Sequence, residues 1–419
     1  MSDEPARRRR PTSRPLFPSI PMKPRQFFFA PVVLSRYNRR NGTKFPVNAA
    51  SNKVMGMAAG VRSQVSPSLI VSSPIVTASE SRRYFGGFVC RDQQLACAYL
   101  PAISMRGLNR VFAAFVYLGF ALRHIQRGDG VVFYNYFPEY VPVAIFLRWR
   151  LGRDKIVMDL EDGPRADEKD LRGYMNRFSL RLMWRVCSPR AIVVSRQLAD
   201  VMKIDDACVV NGVSPDIGPR RPAFGTRVTF LYGGSISTGT GLDLFASALR
   251  TLARTRPELA ARTHFVVTGF GGGEQLAALA RELAPTGFTL DVRQDAGPDE
   301  YKQILARADV GLSLKLPDSA LNATTFPSKV IELASHGLLV LTTDISDISL
   351  LFDRDTAVIL PDAQASTLAN QLAAIAADPE RYTPIAAAGQ RRIVERCSRR
   401  SVGRRLVEFL GVTPELSTR

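Results

Sequence analysis

The chain has 419 residues, 46% of them hydrophobic, and a formal net charge of +18 at pH 7. That length and apolar content suit two or three domains with ordinary cores. Five widely spaced cysteines (Cys90, Cys97, Cys187, Cys208, Cys397) exclude a disulfide framework, and the longest apolar helical run, Val111 to Leu122, is too short to span a bilayer.

The positive balance calls for partners with negative charge: phosphate ligands, an anionic membrane surface or nucleic acid. No zinc, helix-turn-helix or aromatic-basic RNA motif appears, so nucleic acid is not expected. Residues 1–24 read as a disordered basic tail, with Arg7–Arg10 and Arg14 among Pro and Ser. The tail lacks the apolar core of a signal peptide.

Residues 25–213 alternate strand and helix. Gln26–Leu34 reads as a buried strand. A basic loop, Arg36–Phe45, follows with Asn41-Gly42, and then an Ala/Met-rich helix, Asn48–Val61. Gly42 would lie in a phosphate-type turn between strand and helix, although Asn-Gly also makes ordinary turns. Strands are predicted at Leu69–Val76, more weakly at Gly87–Tyr99, and at Gly130–Tyr134, Lys155–Leu160, Ala191–Val194 and Cys208–Val210. Helices are predicted at Leu108–Gln126, Val141–Leu151 and Leu171–Val186. The first and last are Arg-flanked or Arg-rich, which suits a core helix or one leaning on anionic lipid. Glu161 and Asp162 close the Lys155–Leu160 strand. They suit an acceptor-binding or base role, or a solvated loop with a helix cap.

Residues 214–226, SPDIGPRRPAFGT, read as an interdomain linker. Residues 227–390 form a second αβ series. Its glycine loops, Gly233-Gly234-Ser235 and Gly269–Gly273, follow strands. Lys315 and Thr324–Lys329 sit at equivalent strand ends. Loops of this kind converge on the carboxyl edge of a parallel sheet, where such folds bind ligands. In TTFPSKVIELASHGLLVLTT, Pro327 and Ser328 start a helix, Gly337 stops it, and an apolar strand follows. Lys329 and the free N–H groups at that start suit a diphosphate, and Glu332 suits ribose hydroxyls. Residues 391–419 read as one long helix expected to pack back on the N-terminal domain.

Three segments together resemble the family 4 glycosyltransferases. They are VVNGV at Val209–Val213, FLYGGS followed by Gly241, and SKVIELASHG before its strand. The resemblance implies an α/β chain of GT-B fold, two Rossmann-like doubly wound parallel-sheet domains facing across a cleft. It implies a retaining transfer from a nucleotide diphosphate sugar to a saccharide or lipid-linked acceptor, in polysaccharide or glycolipid assembly. No metal or other cofactor is expected. Glu161, Asp162 and Lys329 are the implied catalytic set. Gly42, Gly234, Ser235, Gly269, Lys315, Thr324, Ser328 and Glu332 would bind the donor, with the base near Arg293. The setting would be cytoplasmic, peripheral on the inner face of the plasma membrane. This sequence departs from the family in three places. Thr324 stands for its first glutamate, Ser235 and Thr240 for its basic pair, and Glu161 for a histidine. Those departures leave a non-catalytic GT-B protein, binding a nucleotide or a protein partner, as the alternative.

Overall fold

The computed structural model describes residues 26–43, 49–64, 67–74, 82–92, 95–105, 107–163, 170–218, 224–294, 296–317 and 325–412. The basic tail and Thr324 lie outside them.

The N-terminal half runs β1 (Gln26–Phe29), α1 (Ser35–Asn41), α2 (Ala49–Gln64), β2 (Ser68–Ser72), β3 (Tyr84–Phe85), β4 (Phe88–Asp92), β5 (Leu95–Tyr99) and β6 (Ala102–Ile103). It continues through α3 (Leu108–His124), β7 (Gly130–Tyr134), α4 (Val141–Leu151), β8 (Ile156–Leu160), α5 (Leu171–Val186), β9 (Ala191–Val193), α6 (Arg196–Met202) and β10 (Ala207–Val209). The sheet order is β10-β9-β8-β7-β1-β2-β5-β4, parallel except for β4 at the edge. Phe27, Phe28 and Phe29 are all buried, because helices cover both faces of central strand β1.

The second half runs β11 (Val228–Ser235), α7 (Leu242–Thr255), β12 (Thr263–Phe270), α8 (Gly273–Leu283), β13 (Thr289–Gln294), α9 (Pro298–Arg307) and β14 (Val310–Ser313). It ends with α10 (Lys329–Ser335), β15 (Leu339–Thr343), α11 (Ile348–Leu351), β16 (Val358–Leu360), α12 (Ala365–Ala377), α13 (Thr383–Cys397) and α14 (Arg399–Leu410). Its six strands pair in the order β13-β12-β11-β14-β15-β16, all parallel.

Three sequence expectations change. The basic loop after β1 contains α1, a polar helix anchored by buried Tyr37. Gly42 is its left-handed cap, and its N–H bonds to the Asn38 carbonyl. Gly42 is therefore no phosphate turn at a strand end. The weak strand at 87–99 is a hairpin of β4 and β5, with Cys90 opposite Cys97. The long C-terminal helix is two helices broken at Ser398, whose hydroxyl accepts the Ser401 N–H at 3.3 Å and caps α14.

α14 lies against α2 in the N-terminal half. The approach depends on glycine, because a Cβ on Gly403 would collide with the backbone of Gly60. Gly403→Ala is expected to lower the melting temperature by roughly 2–12 °C in scanning calorimetry. That estimate takes about 1–3 kcal/mol of overpacking at about 2–4 °C per kcal/mol.

Other contacts tie the halves together. The Asp347 carboxylate accepts the Arg196 N–H at 2.6 Å and the Asn211 side-chain amide at 3.2 Å. The Ser214 and Ser335 hydroxyls lie 2.8 Å apart. Gly212 faces Ile331 of α10, so the Asn-Gly segment packs on the helix that the glycine loops also face.

Candidate active site

The second half supplies one cluster. Lys329 opens α10, and its stem passes the Gly233-Gly234 turn, where a Cβ on Gly234 would lie 3.8 Å from Lys329 Cε. Gly234 and Gly269 are register partners, both with positive φ (+118° and +127°). A Cβ on Gly269 would strike the Gly234 carbonyl, so only glycine lets the two strand ends close up here. Lys329 Nζ donates to Glu332 Oε2 and to the Tyr301 hydroxyl, each at 2.7 Å. Tyr301 in turn donates to Glu332 Oε2 at 3.0 Å. Burial and the neighbouring Glu332 carboxylate push the Tyr301 phenol well up, so it stays a protonated donor. Lys329 and Glu332 are each about 30% exposed, which leaves the cluster open to a ligand.

The start of α10 differs from expectation. The Ser328 N–H bonds to the Phe326 carbonyl, Val330 N–H to Pro327, and Ile331 N–H to Ser328. These tight turns use three of the N–H groups that a diphosphate was expected to find. Ser328 is already helical in backbone and makes no side-chain cap. The helix is seven residues long, so its dipole is small and the cationic charge here resides mainly in Lys329.

Lys315 follows β14 and donates weakly to Thr325 Oγ1 at 3.4 Å. Burial pulls its ammonium down, and Asp162 from the N-terminal half partly offsets this. Lys315 and Asp162 therefore meet electrostatically across the cleft. Ser235 is exposed at the end of β11, ahead of a capping turn in which Ser237 N–H donates to Thr240 Oγ1 at 2.9 Å. Arg293 is exposed on edge strand β13 and donates to Asp291 Oδ2 at 2.9 Å, so its guanidinium belongs to its own strand. This placement does not bring it into the Lys329 cluster.

The N-terminal half supplies a second cluster that sequence reading only half saw. Glu161 follows β8, and its N–H donates to Asn135 Oδ1 at 2.8 Å. Asn135 has a positive φ of 55°, a conformation that asparagine tolerates. Lys53 of α2 reaches across to Asp159 at 3.0 Å and also pairs with Glu161. Lys53 and Asp159 are buried and Glu161 is 17% exposed. One cation thus faces two carboxylates, and Asp159 Oδ2 has no hydrogen-bond partner among the described residues. Burial raises Glu161 and Lys53 only partly pulls it back, leaving it at about 7. For Lys53, burial works downward, but the two carboxylates outweigh it and hold the ammonium above its ordinary value.

Lys53, Asp159, Asn135 and Tyr301 were not identified from sequence. Signals existed for two of them: a lone lysine in an Ala/Met-rich helix, and an aspartate inside the apolar strand KIVMDL. Among the described residues, no group of three His, Cys, Asp or Glu is placed to hold a metal ion. His124, His264 and His336 lie on separate elements, α3, β12 and the end of α10.

A family model described as glycosyl transferase-like matches residues 243–408. No curated protein matches the chain in sequence. Solved structures share the whole architecture at low identity. Sucrose-phosphate synthase from Thermosynechococcus elongatus aligns at 12% identity and TM-score 0.65, over 91% of this chain and 97% of that one. An α,α-trehalose-phosphate synthase (UDP-forming) from Burkholderia vietnamiensis aligns at 12% and 0.66, over 94% and 100%. Anabaena HepE in complex with UDP-glucose aligns at 14% and 0.61, over 93% and 100%. The chain has the GT-B fold, and its second half carries a glycosyl transferase-like domain.

Proposed function

We propose that the protein is a retaining glycosyltransferase of the family 4 type, taking its sugar from a nucleotide diphosphate donor. The observation that carries this is the Lys329–Glu332–Tyr301 cluster packed against paired glycine turns. Lys329 supplies positive charge for the departing diphosphate, and Lys315 after β14 would add to it. Glu332 holds its Oε2 toward Lys329 and Tyr301, leaving its other oxygen for ribose hydroxyls. The Gly233-Gly234 and Gly269 turns let phosphate oxygens approach the backbone closely. Across the cleft, Glu161 would take the acceptor hydroxyl proton as the glycosidic bond forms on the face the diphosphate leaves. This chemistry assigns the charge stabilisation to side chains, with no cofactor or metal in any step.

Solved relatives of the fold include one in complex with UDP-glucose and one described as UDP-forming, which favours a uridine donor. The acceptor would be a saccharide or a lipid-linked saccharide, in a cytoplasmic setting. A thermal-shift panel with UDP, GDP, ADP and CMP tests the donor class, followed by an assay of nucleoside diphosphate release. One diphosphate should raise the melting temperature; no shift with any of them would sink the transferase reading. Binding without release over a broad acceptor set would favour a non-catalytic role.

Tyr301→Phe deletes the donor to Glu332 and the acceptor for Lys329. Bonds to charged groups contribute about 1.5–3 kcal/mol. Titration calorimetry with the stabilising diphosphate should therefore show affinity about tenfold weaker or more.

A further inference from the structure

α3, α4 and α5 lie side by side on the N-terminal sheet. Val116, Phe120, Val143, Leu147 and Met183 seat all three in the same core. Their outer faces therefore point the same way, and those faces are apolar. Trp149 is 80% exposed, Phe115 69%, and Tyr174 and Phe178 62% each. On α3, Leu108, Val111, Phe115 and Leu122 form an exposed stripe at helical spacing, opposite the buried one. On α5, Leu171, Tyr174, Met175 and Phe178 do the same. A helix apolar on both faces has a second apolar partner to meet. Ten of the sixteen large exposed hydrophobics among the described residues belong to these three helices. That is a contiguous patch, not the scatter of an ordinary surface.

The charge pattern identifies the partner. The three helices contain eight arginines and no Asp or Glu. Arg123, Arg148, Arg181 and Arg185 are exposed between the apolar side chains. A second copy across a twofold axis would set arginines against arginines, which disfavours self-association. Exposed aromatic and aliphatic side chains together with arginines and no carboxylate on the same three helices are the composition of a face that lies on an anionic bilayer. We propose that the α3–α4–α5 face docks on an anionic phospholipid surface, with Phe115, Trp149 and Phe178 in the headgroup layer and the arginines on lipid phosphates. The docking does not depend on the transferase reading, since no nucleotide takes part.

Vesicle co-sedimentation of the full chain tests it, with phosphatidylcholine alone and with 30 mol% phosphatidylglycerol added, a composition on the order of a natural anionic leaflet. The protein should bind the anionic vesicles, and less as salt rises from about 0.1 to 0.5 M. Trp149→Ser combined with Phe178→Ser should lower partitioning at least tenfold. Arg123→Glu with Arg181→Glu should lower it on the order of tenfold or more. All four side chains are on the surface, and an unchanged melting temperature verifies the fold. Absence of vesicle binding would overturn the proposal, as would equal binding to neutral vesicles. Anionic binding untouched by either pair of substitutions would also overturn it, assigning the contact to other basic residues. A dimer in sedimentation equilibrium that Trp149→Ser dissolves would give the face to a second copy. Capture by immobilised polyaspartate with no vesicle binding would give it to an acidic protein.

Discussion

Glu332→Ala is expected to abolish the melting-temperature rise caused by the stabilising nucleoside diphosphate while leaving the unliganded protein nearly as stable. Glu332 Oε2 is where the Lys329 ammonium and the Tyr301 hydroxyl meet. Without it, Lys329 keeps only the phenol oxygen, and ribose hydroxyls lose an acceptor. A ligand at 100 times its dissociation constant stabilises a protein by about 2.7 kcal/mol. Losing bonds to a charged acceptor, about 1.5–3 kcal/mol, weakens binding roughly 10- to 100-fold. At the larger loss the same ligand concentration stabilises by only about 0.4 kcal/mol. The pair is partly exposed, so its own contribution to folding is about 0–1 kcal/mol. Differential scanning fluorimetry separates the two effects, because ligand response and basal stability are read from the same curves. A full ligand response in the variant would remove Glu332 from the donor site.

Glu161→Gln should lower turnover by about 10²- to 10⁴-fold, the usual contribution of a general base. In the unsubstituted protein, turnover should rise as pH passes through about 7, where the Glu161 carboxyl loses its proton. Stability should move the other way. The unfolded carboxyl titrates near its ordinary value of 4.5 and the folded one at about 7. Between those values the folded chain holds a proton that the unfolded chain has released. The contribution of this group to unfolding free energy is therefore present below 4.5, falls as pH rises toward 7, and is flat above. The difference in melting temperature between the two proteins, measured from pH 4 to 8 on the order of the two titrations, isolates the group. A difference constant over that range would contradict a raised Glu161. Lys53→Met provides a contrast. It leaves Asp159 and Glu161 buried without their cation, a loss of about 3–5 kcal/mol, so it should unfold the protein at much lower temperature at neutral pH.

The local patterns carried a great deal. Buried strands such as Phe27–Phe29 and Leu339–Leu341 were legible because helices on both faces demand unbroken apolar runs. Val141–Leu151 and Leu171–Val186 were legible in full because a Pro start, a Gly stop or an Asp cap marks their ends. Gly234, Gly269 and Lys329 stood out because left-handed turns and a helix-start lysine follow strands in the order a ligand-binding edge needs.

What the chain order hid was contact between distant segments. Tyr301 joins Lys329 only because the fold brings its hydroxyl to the start of α10, and Lys53 meets Asp159 from 106 residues away. The turns at Gly42 and Ser328 differ from expectation for a local reason: their N–H groups or backbone angles are used by the turn they sit in. The sequence by itself determined the alternation of strands and helices, the glycine turns and the excess of arginine. Only the tertiary structure decided which charges face each other in the cleft and that three apolar stripes share one outward surface, because period and spacing record a residue's own element and not its neighbour across space.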